Sequence, residues 1–179
     1  MDKVSFAIKM LIVVLTLFPM ACGEMKSESI GPYTISFDLG GAQGYTIQNY
    51  TQENNTYETY DLKEFDIYSL AVNTSQNFAL ISIAGFKNNK MDNSLQQCQK
   101  YLEKYMNCLG YDLDPKPDKK IDGSNGILYE GSNRTTGGKL YAIEFWNHIN
   151  TRDVFIISDF PWPQETSKLI ESINVKENN

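Results

Sequence analysis

The rhythm of apolar positions changes several times along the chain. Residues 10–21, MLIVVLTLFPMA, are an almost unbroken apolar run, and beyond residue 22 the pattern breaks into short alternating stretches. PYTISFDLGG alternates and ends on glycine, which predicts a strand over residues 33–39. YTIQNYT predicts a second strand, paired with the first as a hairpin across the GAQG loop. Residues 53–64 are polar and rich in Asn, Thr and Tyr, and read as a loop or a short irregular strand. FDIYSLAVN and FALISIAGF follow as a strand pair. The second is apolar at nearly every position, as expected of a central strand covered on both faces.

The period then lengthens. Leu95, Cys98, Leu102, Tyr105, Met106 and Leu109 recur at helical spacing, predicting a helix over 92–109 with Asp92 or Asn93 as N-cap and Gly110 as its stop. YDLDPKPDKKIDGSNG holds two prolines and four aspartates and reads as a surface connection. GILYEGSNR, GKLYAIEFWNHI and RDVFIISDF predict an antiparallel meander with reversals at TTGG and near Asn150. PWPQETSKLIESINV closes the chain as a helix, with Pro163 in its first turn and Leu169, Ile170 and Ile173 on its apolar face. Strands, helix, three strands and helix imply an α+β domain with a mostly antiparallel sheet and helices packed on it. The boundaries are an export segment over 1–21, a flexible tether over 22–32 and one domain over 33–176.

The apolar run of twelve residues spans about 18 Å as a helix, against about 30 Å of hydrocarbon. With Lys3 and Lys9 before it, it fits the apolar region of a secretory signal. Ala21 directly before Cys22 resembles the end of a lipobox, although Pro19 and Met20 replace the usual aliphatic and small residues. The resemblance implies that Cys22 becomes a lipid-bearing N-terminus; ordinary cleaved secretion and a retained signal anchor are the alternatives. All three put the domain outside the cytoplasm. A disulfide between Cys98 and Cys108 conflicts with the helix, because ten helical residues separate α-carbons by about 15 Å and a bridge needs about 4.4–6.8 Å.

Composition removes some partners. Hydrophobic residues make up 41%, enough for a core, while a net charge of −6 and pI near 4.8 argue against nucleic acid. Lys119–Lys120 is the longest basic run, and aspartates flank it. His148 is the only histidine, no serine sits in a G-x-S-x-G elbow, and LGGAQGY lacks the Lys-Ser/Thr of a phosphate loop. Asp112, Asp114, Asp118 and Asp122 are weak candidates for a hard cation, without EF-hand spacing. No catalytic constellation and no cofactor follow from these residues. Aromatic contact surface is the remaining lead: Trp162 between Pro161 and Pro163, with Tyr57 and Tyr60 in the polar N-terminal half. Packing of the last helix onto the sheet is the competing role for Trp162.

The stretches YTISFDL, ALISIAGF, KKIDGSNGILYEGS, KLYAIEFW, RDVFIISD and LIESINV resemble, in order and spacing, the PsbP-like proteins. That family includes small bacterial and archaeal lipoproteins. The resemblance covers most of residues 33–175 and implies a PsbP-like α/β/α sandwich with an accessory binding role; it transfers no catalytic residue. The expected function is therefore a non-catalytic, lipid-anchored binding protein of the cell envelope. It would meet the membrane through Cys22 and bind an envelope protein or ligand. The alternative is a carboxylate- or metal-dependent envelope enzyme.

Overall fold

The computed structural model describes residues 23–56, 64–86, 103–104, 106–146 and 152–178. These form ten strands: β1 (Lys26–Ile30), β2 (Tyr33–Phe37), β3 (Thr46–Thr56), β4 (Glu64–Asn73), β5 (Phe78–Phe86), β6 (Tyr111–Ile121), β7 (Ser124–Asn133), β8 (Lys139–Trp146), β9 (Arg152–Ser158) and β10 (Asn174–Glu177). A two-turn helix, α1 (Glu165–Ser172), precedes the last strand, and residues 103–104 and 106–108 are also helical. The strands build two antiparallel sheets, a small one ordered β1-β2-β10 and a large one ordered β3-β4-β5-β9-β8-β7-β6.

Strand alternation decides which side chains meet between the sheets. Leu70 and Val72 of β4, Ile81 and Ile83 of β5, Val154 and Ile156 of β9, and Ile143 and Phe145 of β8 share the inner face of the large sheet. They pack against Tyr33, Ile35 and Phe37 of β2, Val175 of β10, and Leu169, Ile170 and Ile173 in and after α1. A smaller cluster of Met106, Tyr129, Leu140, Ala142 and Ile157 covers part of the opposite face. Residues 81–84 are consequently buried in succession, the two-sided burial expected of β5.

The architecture is mostly β, which overturns the α+β fold class and the α/β/α sandwich with helices packed on the sheet. Four local readings account for the difference. Residues 26–30, expected within a tether, pair with β2 from Lys26 opposite Phe37 to Ile30 opposite Tyr33. β2 and β3 do not form a hairpin but lie in different sheets. The proline- and aspartate-rich connection is β6, an edge strand of the large sheet. Pro115 and Pro117 stand two apart, so both missing N–H groups fall on one side, and an edge strand has one side that needs no donor. A register shift between Lys116 and Lys119 absorbs the rest.

The terminal helix is also shorter than expected. It stops at Ser172, whose hydroxyl donates to Lys168 O at 2.6 Å, and β-branched Ile173 turns extended at ψ 134°. Asp122 then draws the chain into β10, accepting from Asn174 Nδ2 at 2.5 Å and from the Val175 N–H at 3.2 Å.

Other expectations match locally. Gly110 adopts φ 82° after residues 106–108, and its N–H donates to Asn107 O at 3.0 Å. At TTGG, Asn133 Oδ1 accepts from the N–H groups of Thr135 and Thr136, both at 2.9 Å, and Gly137 has φ 70°. The export segment, Cys22, Tyr57, Tyr60, the helix over 92–102 with Cys98, His148 and the reversal near Asn150 lie outside the described residues.

Candidate functional site

Where the inner face of the large sheet runs past the cover of the small sheet, it ends in a cleft. Leu128 and Glu130 are alternate residues of β7 and share that face, and Tyr141 of β8 stands opposite Glu130. Lys116 of β6 stands opposite Leu128. The β6 bulge then turns Pro117, Asp118 and Lys119 into the rim. Trp162, from the loop between β9 and α1, closes the wall. The resulting cavity measures about 330 Å³ and is lined by Lys116, Pro117, Asp118, Lys119, Leu128, Glu130, Tyr141 and Trp162.

The loop bearing Trp162 is pinned at both ends. Phe160 is buried in the main core; its N–H donates to Ser158 Oγ at 3.3 Å, and its carbonyl accepts from Thr166 Oγ1 at 2.7 Å. The Thr166 N–H reaches Pro161 O at 3.3 Å. Trp162 is half-buried, with its ring 5.1 Å from that of Tyr141 at a 30° tilt. Lys119 Nζ lies 4.9 Å from the indole centroid and 3.6 Å from Glu171 Oε1, so it bridges the aromatic wall to α1.

The floor is polar and paired. Glu130 Oε1 accepts from Lys139 Nζ at 2.5 Å, and Oε2 lies 3.3 Å from Lys116 Nζ. Lys116 also donates to Asp114 Oδ2 at 2.6 Å. The Lys139 hydrogen bond, with help from Lys116 and against the pull of burial, holds the Glu130 carboxyl below its ordinary range. Hydrogen bonds from Lys116 to Asp114 and then to Glu130 hold its ammonium above its ordinary range. Burial, and secondarily the charge of Glu130, raises the Tyr141 phenol. The cleft thus sets paired charges beside an apolar and aromatic wall.

Of the residues singled out from sequence, Trp162 and Asp118 meet here. The other aspartates go elsewhere. Asp112 pairs with Arg134 Nε at 2.7 Å, Asp114 with Lys116, and Asp122 with the start of β10. No cluster of three or more His, Cys, Asp or Glu side chains able to hold a metal occurs among the described residues. Cys108 is an exposed free thiol. LGGAQGY is a turn, with Gly40 at φ 65°, Gly41 at 115° and Gly44 at 65°.

Sequence reasoning missed Tyr141, Glu130, Leu128, Lys116 and Lys119. One signal was available: the alternation that turns Leu128 inward also turns Glu130 inward, and a carboxylate on a core-facing position needs a partner.

No family model, curated protein or solved structure matches this chain. The PsbP-like resemblance therefore rests on the sequence stretches alone. No helix among the described residues is long and apolar enough to cross a membrane.

Proposed function

We propose that this chain is a non-catalytic binding domain of the cell envelope, lipid-anchored through Cys22, that takes a small amphipathic ligand into the Trp162 cleft. The observation that carries the binding reading is the cleft itself. Its volume of about 330 Å³ falls at the lower end of the size of small-molecule pockets, about 300–1,000 Å³. Its walls combine Trp162, Tyr141 and Leu128 with a few placed charges. An apolar ring or short chain would lie on Trp162 and Leu128, with polar groups directed to Lys116, Asp118 and Lys119. The anchoring reading is supported by the apolar run ending at Ala21–Cys22.

Anilinonaphthalene sulfonate, an aromatic probe with one anionic group, tests the cleft. We expect saturable one-to-one binding that weakens by about tenfold in Trp162→Ala, or about 1.4 kcal/mol. The near-ultraviolet circular dichroism of the other aromatics should survive the change. Equal affinity in a folded Trp162→Ala variant removes the cleft as the binding site. Mass spectrometry of the mature chain, showing a diacylglycerol-modified Cys22 or an unmodified N-terminus, tests the anchor independently.

A further inference from the structure

The chain enters its first strand sooner than its polar composition suggests. β1 begins at Lys26, so only Gly23, Glu24 and Met25 separate the sheet from Cys22. Even fully extended, four residue steps span no more than about 14 Å. Part of that slack is already taken up, because Gly23 is seated on the body: a methyl group there would overlap the Asp38 carboxylate. Asp38 is in turn fixed, its N–H donating to Ser172 Oγ at 2.8 Å and its Oδ1 accepting from the Gly40 N–H at 2.7 Å.

The surface around this point has a consistent chemistry. Met25 is 54% exposed, the largest exposure among the large apolar side chains described. Glu24 and Lys26 neutralise each other at 2.6 Å, and the Tyr45 hydroxyl interacts with Lys26. Gly40, Gly41, Ala42, Gln43 and Gly44 carry no charge, and the stem of Lys168 lies against Gly40. An exposed methionine, a tyrosine at the rim, an uncharged turn and a long-stemmed lysine match the requirements of the interfacial layer of a bilayer. The acidity of the chain as a whole is not concentrated here.

We infer that this end of the molecule, which carries Met25, the turn over residues 40–45 and Lys168, docks on the lipid headgroup layer of the membrane that holds residue 22. The inference rests on the membrane attachment proposed above, and holds equally for a lipid on Cys22 or a retained apolar segment. With so short a link the body stands in one orientation. α1 joins the docked face to the cleft, since Ser172 contacts Asp38 while Glu171 contacts Lys119 beside Trp162. The far end of the large sheet is directed away. Lys139 stands opposite Ser132, eight residues along β7 from Ser124, about 26 Å at about 3.3 Å per residue.

The test uses the full chain, recovered from the membranes of cells that make it and reconstituted into phosphatidylcholine vesicles. A membrane-impermeant acylating reagent is applied, and modification of Lys168 and Lys139 is read by mass spectrometry. A second chain carries about twenty Gly/Ser residues between Cys22 and Gly23, a spacer with a root-mean-square span of about 25 Å. We expect the Lys168-to-Lys139 labelling ratio to be several-fold lower in the native chain than in the extended one. Equal ratios in two chains that both float with the vesicles overturn the docked face and leave the anchor standing. A native chain that does not float with vesicles overturns the attachment, and the docking with it.

Discussion

The inner face of the large sheet is finished in two ways. Beneath β1, β2 and β10, Leu70, Val72, Ile81 and Ile83 have no exposed surface and meet Ile35 and Phe37, which have none either. At the β6 end the same alternation delivers Leu128 and then Lys116, Glu130 and Tyr141, with Trp162 as a partial lid. Strands lie about 4.8 Å apart, so the outer axes of a three-stranded sheet are separated by about 10 Å and those of a seven-stranded sheet by about 29 Å. The small sheet cannot cover the large one. What it leaves uncovered must be polar, paired or concave, and here it is all three. The edges follow suit: β6 is guarded by Pro115, Pro117, lysines and a bulge, whereas β3 is guarded by polar Asn, Gln and Thr and its own register shift.

The largest effect should separate the covered end from the open one. Leu-to-Ala changes in cores cost about 2–5 kcal/mol, depending on how far the site collapses. Leu70→Ala, inside the fully covered region, should fall near the upper end, about 4 kcal/mol, and Leu128→Ala, beside an existing cleft, nearer 2 kcal/mol. Urea unfolding of the two variants measures this, and equal losses would erase the distinction.

A middle-sized effect concerns the staple that ties the small sheet to the open end. Asp122 sits at φ 47° and accepts from both Asn174 and Val175. Asp122→Ala should cost on the order of 1–3 kcal/mol, while Asp122→Asn, which tolerates the backbone and keeps one acceptor, should lose less. Hydrogen exchange at the Val175 amide should rise most in the alanine variant.

The smallest effects are opposite in sign. Glu130, at the open end, has a depressed folded pKa. Its contribution is present above about 4.3 and is lost as pH falls through the folded value. Glu130→Gln should flatten that acid limb by less than about 1 kcal/mol, since its ion pairs are partly solvated. Asp159, where β9 ends beside β5, has a folded pKa raised chiefly by burial, against the hydrogen bond it accepts from the Phe78 N–H at 2.6 Å. Its contribution is present below about 3.9 and is lost as pH rises through the folded value. Asp159→Asn should therefore gain stability relative to the parent toward neutral pH. Thermal melts of both variants from about pH 2 to pH 7 should show slopes that change in opposite directions.

Much of the chain announces its own local structure. The alternation in FALISIAGF and KLYAIEFW specifies strands and their apolar faces, Gly110 and the Asn133–Gly137 reversal specify stops, and Trp162 stands out as a large aromatic held between prolines. These are properties of a few neighbouring residues and need no knowledge of what lies across from them. Pairing is different. Whether KSESI is a tether or β1, whether the proline-rich run is a loop or β6, and whether NVKE ends a helix or forms β10 each depended on an available strand edge. That edge comes from residues far along the chain. The cleft was decided the same way, because β6, β7, β8 and the Trp162 loop converge only after the sheets have stacked. Sequence by itself determined which side chains prefer burial and where the backbone can reverse. Tertiary structure decided which edges are filled and which part of a face stays open, because hydrogen-bonding partners and covering area are supplied by other parts of the molecule.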